Sequence, residues 1–150
     1  MPVMTPDDLH RFLAEHFPQA PPGIVVEAIQ DSTIRIRQKT HDGHLRPGGT
    51  LSGPTMMAMV DCGFYLLLLG RLGPAAVAMA VTTNLNINFM RKPEPGDLLG
   101  EARLMKLGRV LAVGDFTIWS EGKADPVAHA SVTYSIPPPR RDVFPAKSKQ

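Results

Sequence analysis

A chain of 150 residues with 43% hydrophobic and 20% charged side chains is long enough for one buried core and too short for two. The net charge of +2, without a basic stripe interleaved with aromatics, argues against a nucleic-acid partner, and a single cysteine excludes an internal disulfide framework and argues against a thiolate zinc site. The opening MPVMTPDDLHRFLAEHF has early acids and no uninterrupted apolar segment, so no secretory signal is expected and the expected compartment is the cytoplasm.

In chain order, Thr5-Pro6-Asp7-Asp8 reads as a helix start, with Thr5 as N-cap, Pro6 in the first helical position and Asp8 placed to complete a capping box. Leu9, Phe12, Leu13 and Phe17 repeat at helical spacing, and the helix ends before Pro18. After the turn PQAPPG, the segments from Ile24 to Gln30 and from Thr33 to Lys39 predict one hairpin, with Ile34 and Ile36 inward and Arg35, Arg37 and Lys39 in solvent. The loop His41-Asp42-Gly43-His44 has two histidines but no further ligands nearby, so a polar loop is expected and no metal.

The stretch Arg46 to Gly70, RPGGTLSGPTMMAMVDCGFYLLLLG, predicts a glycine-rich loop feeding a helix from Pro54 to about Leu69. That run is apolar on every side and shorter than the roughly 20 residues a bilayer requires, so it reads as a core helix and no membrane partner is expected. Between Arg46 and Arg71 the only charged side chain is Asp61. Burying a carboxylate without partners is costly, so Asp61 must be hydrogen-bonded, protonated or open to a cleft. Ser52 or Gly53 falls at the helix N-terminus, where free N–H groups favour negative charge, and an oxyanion donor with a carboxylate two turns along points to acyl transfer.

Arg71-Leu72-Gly73-Pro74 should end this helix. A long strand is expected from Ala75 to Met90, its second half turning Leu85, Ile87 and Phe89 to the helix and Asn84, Asn86 and Asn88 to the other face. Further strands are expected near Leu98 to Lys106, Val110 to Trp119 and Val127 to Ile136. This order predicts an α+β fold in which one antiparallel sheet wraps a central helix, with residues 1–22 as helix and linker, 23–137 as the domain and 138–150 as an extended proline-rich basic tail. Open sheet edges predict a homodimer.

The loop and helix from Arg46 to Asp61, the strand TTNLNINFMRKPEPGD and the Gly108-Arg109 turn together resemble the hotdog-fold thioesterases of the phenylacetate-pathway type, over roughly Ile24 to Ile136. The resemblance implies a hotdog fold, homodimers that pair into tetramers, and hydrolysis of acyl-coenzyme A without metal or cofactor, the CoA entering as part of the substrate at sites between two protomers. It implies that Asp61 is the general base or nucleophile and that the Gly53 N–H polarises the thioester carbonyl. Thr82, with Thr83 as its neighbouring alternative, falls where relatives place a small hydroxyl residue that orients the nucleophile. Gly108 and Arg109 match the turn near the coenzyme's nucleotide, with Arg91 as a further cation.

Two positions depart from that pattern: Arg46 stands where many relatives have Asn, and Ser52-Gly53-Pro54 where they have His-Gly-Gly. Arg46 could replace the Asn by charge, or clamp Asp61 or a carboxylate-bearing substrate. The hydratase relatives carry an Asp-His pair five apart on a helix, and Leu66 occupies that position here. A serine hydrolase built on Ser52 lacks the nucleophile elbow G-x-S-x-G. The alternative to an enzyme is a non-catalytic acyl-CoA binding or sensing protein.

Overall fold

Leu66, Leu67, Leu68 and Leu69 cover every side of one helical turn, so the helix that carries them has to be surrounded. All four are fully buried. The computed structural model describes residues 1–138, so the expected tail, apart from Pro138, lies outside the described residues. The central helix α2 (Gly53–Leu72) has 20 residues. It is longer than the sequence pattern suggests and, by length and composition alone, long and apolar enough to cross a membrane. Here the covering comes from protein.

Six strands form that cover: β1 (Ile24–Ile29), β2 (Thr33–Gln38), β5 (Val81–Phe89), β6 (Leu98–Leu107), β7 (Leu111–Ser120) and β8 (Ala128–Ser135). Their order is β1-β2-β6-β7-β8-β5, and every neighbouring pair is antiparallel. The alternation of small and large inward residues lets the sheet curl round α2. Ala128, Ala130, Val132 and Tyr134 of β8 are buried, as are Ala112, Phe116 and Ile118 of β7. Gly63 on α2 and Gly114 on β7 make room for these aromatics: a Cβ at Gly63 would lie 2.5 Å from Phe116 Cε2, and one at Gly114 would lie 2.5 Å from Phe64 Cε2 and run into the Arg103 carbonyl oxygen. The fold is α+β with a long central helix inside an antiparallel sheet, as the sequence predicts.

The first helix, α1 (Pro6–His16), has the expected capping box: Thr5 Oγ1 accepts from the Asp8 N–H at 3.2 Å, and Asp8 Oδ2 accepts from the Thr5 N–H at 2.9 Å. Leu9 and Phe12 enter the main core. His10 Nε2 accepts from the Val26 N–H at 2.8 Å, so α1 also covers part of the β1 edge. Arg37, on the solvent face of β2, pairs with Glu27, Asp97 and Glu121 at 3.3, 3.3 and 2.7 Å, which ties strands together.

One expected strand is shorter than the sequence pattern suggests. Residues 75–80 are not extended: Pro74–Val77 form a short helix, α3, and β5 begins at Val81. Pro74 suits the first helical position, and alanine favours helix over strand. β5 is the second sheet edge, and apolar side chains on it or just after it stand in solvent: Val81, Phe89 and Met90 are 57, 48 and 47% exposed, and Met57 of α2 is 43% exposed.

Candidate active site

Asp61 lies near the middle of α2, where nearly every neighbour on the helix is buried. Its Oδ1 accepts from Thr82 Oγ1 at 2.5 Å and from the Tyr134 hydroxyl at 2.7 Å. The same Tyr134 hydroxyl lies 2.9 Å from the Asp61 carbonyl oxygen. Burial, with the negative charge of Asp61 added, pushes the Tyr134 phenol up, so it stays protonated and donates. Asp61 also opens into a cavity of about 680 Å3. Phe12 and Phe17 from the α1 end wall this cavity together with Ala58, Tyr65 and Ala80, and His16 and Gln19 line it as well. A carboxylate anchored through one oxygen beside such a chamber can act as a base or a nucleophile on an ester-like group placed there.

Thr82 reaches Asp61 because β5 is bulged. In the register with β8, Thr82 pairs with Tyr134 and Asn84 with Thr133, and Thr83 is the extra residue between them. Counting back from Leu85 by strict alternation would turn Thr83 inward and Thr82 out. The bulge reverses this: Thr82 faces α2, and Thr83 Oγ1 donates to the Thr133 carbonyl at 3.3 Å.

The N-terminus of α2 forms a second centre. Ser52 is the N-cap: its Oγ accepts from the Thr55 N–H at 3.2 Å and lies 2.7 Å from Thr55 Oγ1. The Met56 N–H bonds back to the Ser52 carbonyl at 3.3 Å, and Pro54 has no N–H. Of the first helical N–H groups, that of Gly53 is therefore left to meet a ligand. Gly53 lines a cavity of about 800 Å3 together with Arg46, Met56, Phe89, Arg91 and Lys92. Arg46 is held by the small hairpin of β3 (Leu45–Arg46) and β4 (Thr50–Leu51), whose turn takes φ of 99° at Gly48 and 76° at Gly49. Arg91 donates to the Pro126 carbonyl at 3.1 Å.

Within one chain these two centres do not meet. From Gly53 to Asp61 the helix rises about 12 Å, and the two residues line different cavities. Arg46 lines the Gly53 cavity and not that of Asp61, so within the chain it does not clamp the carboxylate. Gly108 and Arg109 lie apart from both, at the β6–β7 turn, where they line a third cavity with Leu72 and Ile136. His41 and His44 serve their own turn: His41 Nδ1 accepts from the Gly43 N–H at 2.9 Å and His44 Nδ1 from the His41 N–H at 3.0 Å. Among the described residues no group of three or more His, Cys, Asp or Glu side chains is clustered to hold a metal.

Sequence reasoning missed Tyr134, which reads as one more inward residue of an alternating strand. Its signal is the hydroxyl: a buried Tyr needs a partner for its O–H, and the other inward residues of β8 are Ala128, Ala130 and Val132. The wall from α1 was also missed, because Phe12 and Phe17 show only helical spacing.

A thioesterase superfamily family model matches residues 48–135. The chain is 50% identical to a candidate thioesterase from Silicibacter sp. TM1040, whose crystal structure matches with a TM-score of 0.84 over 92% of this chain and 95% of that one. A candidate thioesterase of Ralstonia eutropha JMP134, described as phenylacetic acid degradation-related, is 28% identical with a TM-score of 0.71 over 85% of this chain and 98% of that one. A hypothetical thioesterase of Streptococcus pneumoniae, crystallised with coenzyme A, is 18% identical with a TM-score of 0.73 over 91% and 99%, a likeness of fold. Among curated proteins, a candidate esterase of Halobacterium salinarum is 25% identical over 99 residues; the match takes in 64% of this chain and spans 65% of that protein's length.

Proposed function

The chain belongs to the thioesterase superfamily, and from that premise we propose that it hydrolyses an acyl-CoA thioester to the free acid and CoA at a site shared by two copies of the chain. The observation that carries this reading is Asp61, held through Oδ1 by Thr82 and Tyr134 and open to a cavity walled in part by aromatic rings. The coenzyme A bound by the Streptococcus pneumoniae relative supports CoA as the thiol half of the substrate.

In this proposal the Gly53 N–H, at the positive end of α2, donates to the thioester carbonyl and stabilises the oxyanion. Asp61 of the facing copy works in one of two ways. As a base it takes a proton from water while the oxygen adds to the carbonyl carbon, and collapse of the tetrahedral intermediate expels the CoA thiolate. As a nucleophile its carboxylate oxygen adds directly, expels the thiolate and leaves a mixed anhydride that water then opens. Either course uses the chain's own residues, with CoA as part of the substrate. Such a substrate fits the cytoplasm.

The second copy enters because one chain keeps the Gly53 N–H and the Asp61 carboxylate in separate cavities. The exposed apolar residues Val81, Phe89 and Met90 at the β5 edge, with Met57 of α2, supply a surface for that copy, and a dimer of dimers is the further assembly proposed. Arg46 and Arg91, beside Gly53, are assigned to the anionic part of the substrate, and Gly108 and Arg109 to the nucleotide end. A panel of acyl-CoA thioesters of graded length and aromaticity, scored for free thiol, tests the proposal. Thiol release by the wild type supports it; saturable binding without release identifies an acyl-CoA binder instead.

A further inference from the structure

We infer that Tyr134 is a positioning residue for the hydrolysis, an inference that rests on the thioesterase reading: its hydroxyl and that of Thr82 together occupy Oδ1 of Asp61 and so direct the reaction to Oδ2. Thr82 and Tyr134 are direct partners in the β5–β8 register, so both project from the inner face of the sheet at one level. They approach the carboxylate from adjacent strands, at 2.5 and 2.7 Å. A carboxylate oxygen has two lone pairs, and two hydroxyl donors fill both. Among the described residues Oδ2 takes no hydrogen bond, so it is the oxygen left for substrate or water.

Packing alone does not require this hydroxyl. The Tyr134 ring is 3% exposed and lies 5.5 Å from the Phe64 ring and 6.4 Å from that of Tyr65, contacts that phenylalanine would keep. A buried O–H is costly unless bonded, and this one has two acceptors in reach, Asp61 Oδ1 at 2.7 Å and the Asp61 carbonyl oxygen at 2.9 Å, of which the carboxylate is the nearer and the charged one. Because burial keeps the phenol protonated, the donor is present throughout the neutral range. The hydroxyl thus fixes the rotation of the carboxylate about its side chain, which Thr82 alone, on an edge strand, leaves less constrained.

The test is Tyr134→Phe, made in the wild type and in Asp61→Asn, with steady-state thiol release from the acyl-CoA that the wild type cleaves fastest. In the wild type, kcat should fall about tenfold to a hundredfold, the scale of one hydrogen bond to a charged group, with KM within about twofold. In Asp61→Asn the same change should cost nothing further, because Tyr134 acts through the carboxylate. A kcat within about twofold of wild type, or an equal loss in both backgrounds, overturns the role of Tyr134 and leaves the thioesterase reading standing. A wild type inert toward every thioester overturns both.

Discussion

Thr82 Oγ1 donates to Asp61 Oδ1 at 2.5 Å, and the bulge at Thr83 is what turns it toward the helix. Thr82→Val keeps the shape of the side chain and removes the donor. We expect kcat to fall about tenfold, with the melting temperature little changed, while Thr82→Ser keeps near wild-type turnover. Equal turnover in the Val and Ser variants would mean that the hydroxyl does not serve the carboxylate.

Ser52 has its hydroxyl bonded within the first turn of its own helix, to the Thr55 N–H and Thr55 Oγ1. Ser52→Ala should therefore cost about 1 kcal/mol of stability, the worth of an N-cap, and leave turnover within a few-fold of wild type. Urea unfolding and thiol release measured together check this. Abolished turnover in a folded variant would make Ser52 the reacting group.

Cys62 is buried next to Asp61, and burial, with the Asp61 charge added, pushes its thiol from 9.0 up to about 12. Where the unfolded chain loses this proton the folded chain keeps it, so its contribution to stability is full below pH 9.0 and is lost as pH rises toward about 12. Urea midpoints across that interval should fall with pH, and fall less steeply in Cys62→Ala. An identical slope in the variant would contradict this, since Tyr134, also pushed up by burial, accounts for only part of the alkaline loss.

A Cβ at Gly114 runs into the Arg103 backbone carbonyl, which cannot swing aside as a flexible side chain would. Gly114→Ala should destabilise by about 3 kcal/mol or more. At Gly53, by contrast, the nearest atom is Phe89 Cζ at 3.4 Å, and Gly53→Ala should fold normally and keep its backbone donor. Denaturation curves of the two variants side by side decide it; equal stability would contradict the close approach at Gly114.

The proposed site needs a second copy, so assembly and activity should be lost together. Met57 is exposed on α2, one turn from Gly53, which faces Phe89, and one turn from Asp61, which Thr82 bonds, and Met57→Glu places a charge on that surface without disturbing the core. Light scattering should find the wild type dimeric or larger and the variant shifted toward monomer, with thiol release falling in proportion. A fully active monomer would show that one chain contains a complete site.

The sequence exposed the features that depend on local chemistry: the capping box at Thr5 and Asp8, the all-apolar helix, the charge of Asp61 within it, and Ser52 at its N-terminus. It was less informative where two segments distant in the chain meet. Alternation through Leu85, Ile87 and Phe89 points inward at Thr83, and a one-residue bulge gives that face to Thr82 instead. Tyr134 is 73 residues from Asp61, and no pattern within β8 reveals what its hydroxyl touches. Residues 75–80 misled for another reason: Ala75-Ala76-Val77-Ala78 is apolar enough for a strand, yet alanine and Pro74 favour the short helix that forms. Helical rise sets Gly53 and Asp61 about 12 Å apart, but that they line separate cavities is visible only in the folded chain.

The most direct measurement is thiol release from acyl-CoA thioesters by the wild type and by Asp61→Asn. The Asn side-chain oxygen can still accept from Thr82 and Tyr134, so the variant should fold and bind substrate. Its kcat should fall by about a hundredfold or more, the scale of a lost general base or nucleophile. Undiminished turnover in Asp61→Asn would contradict that role.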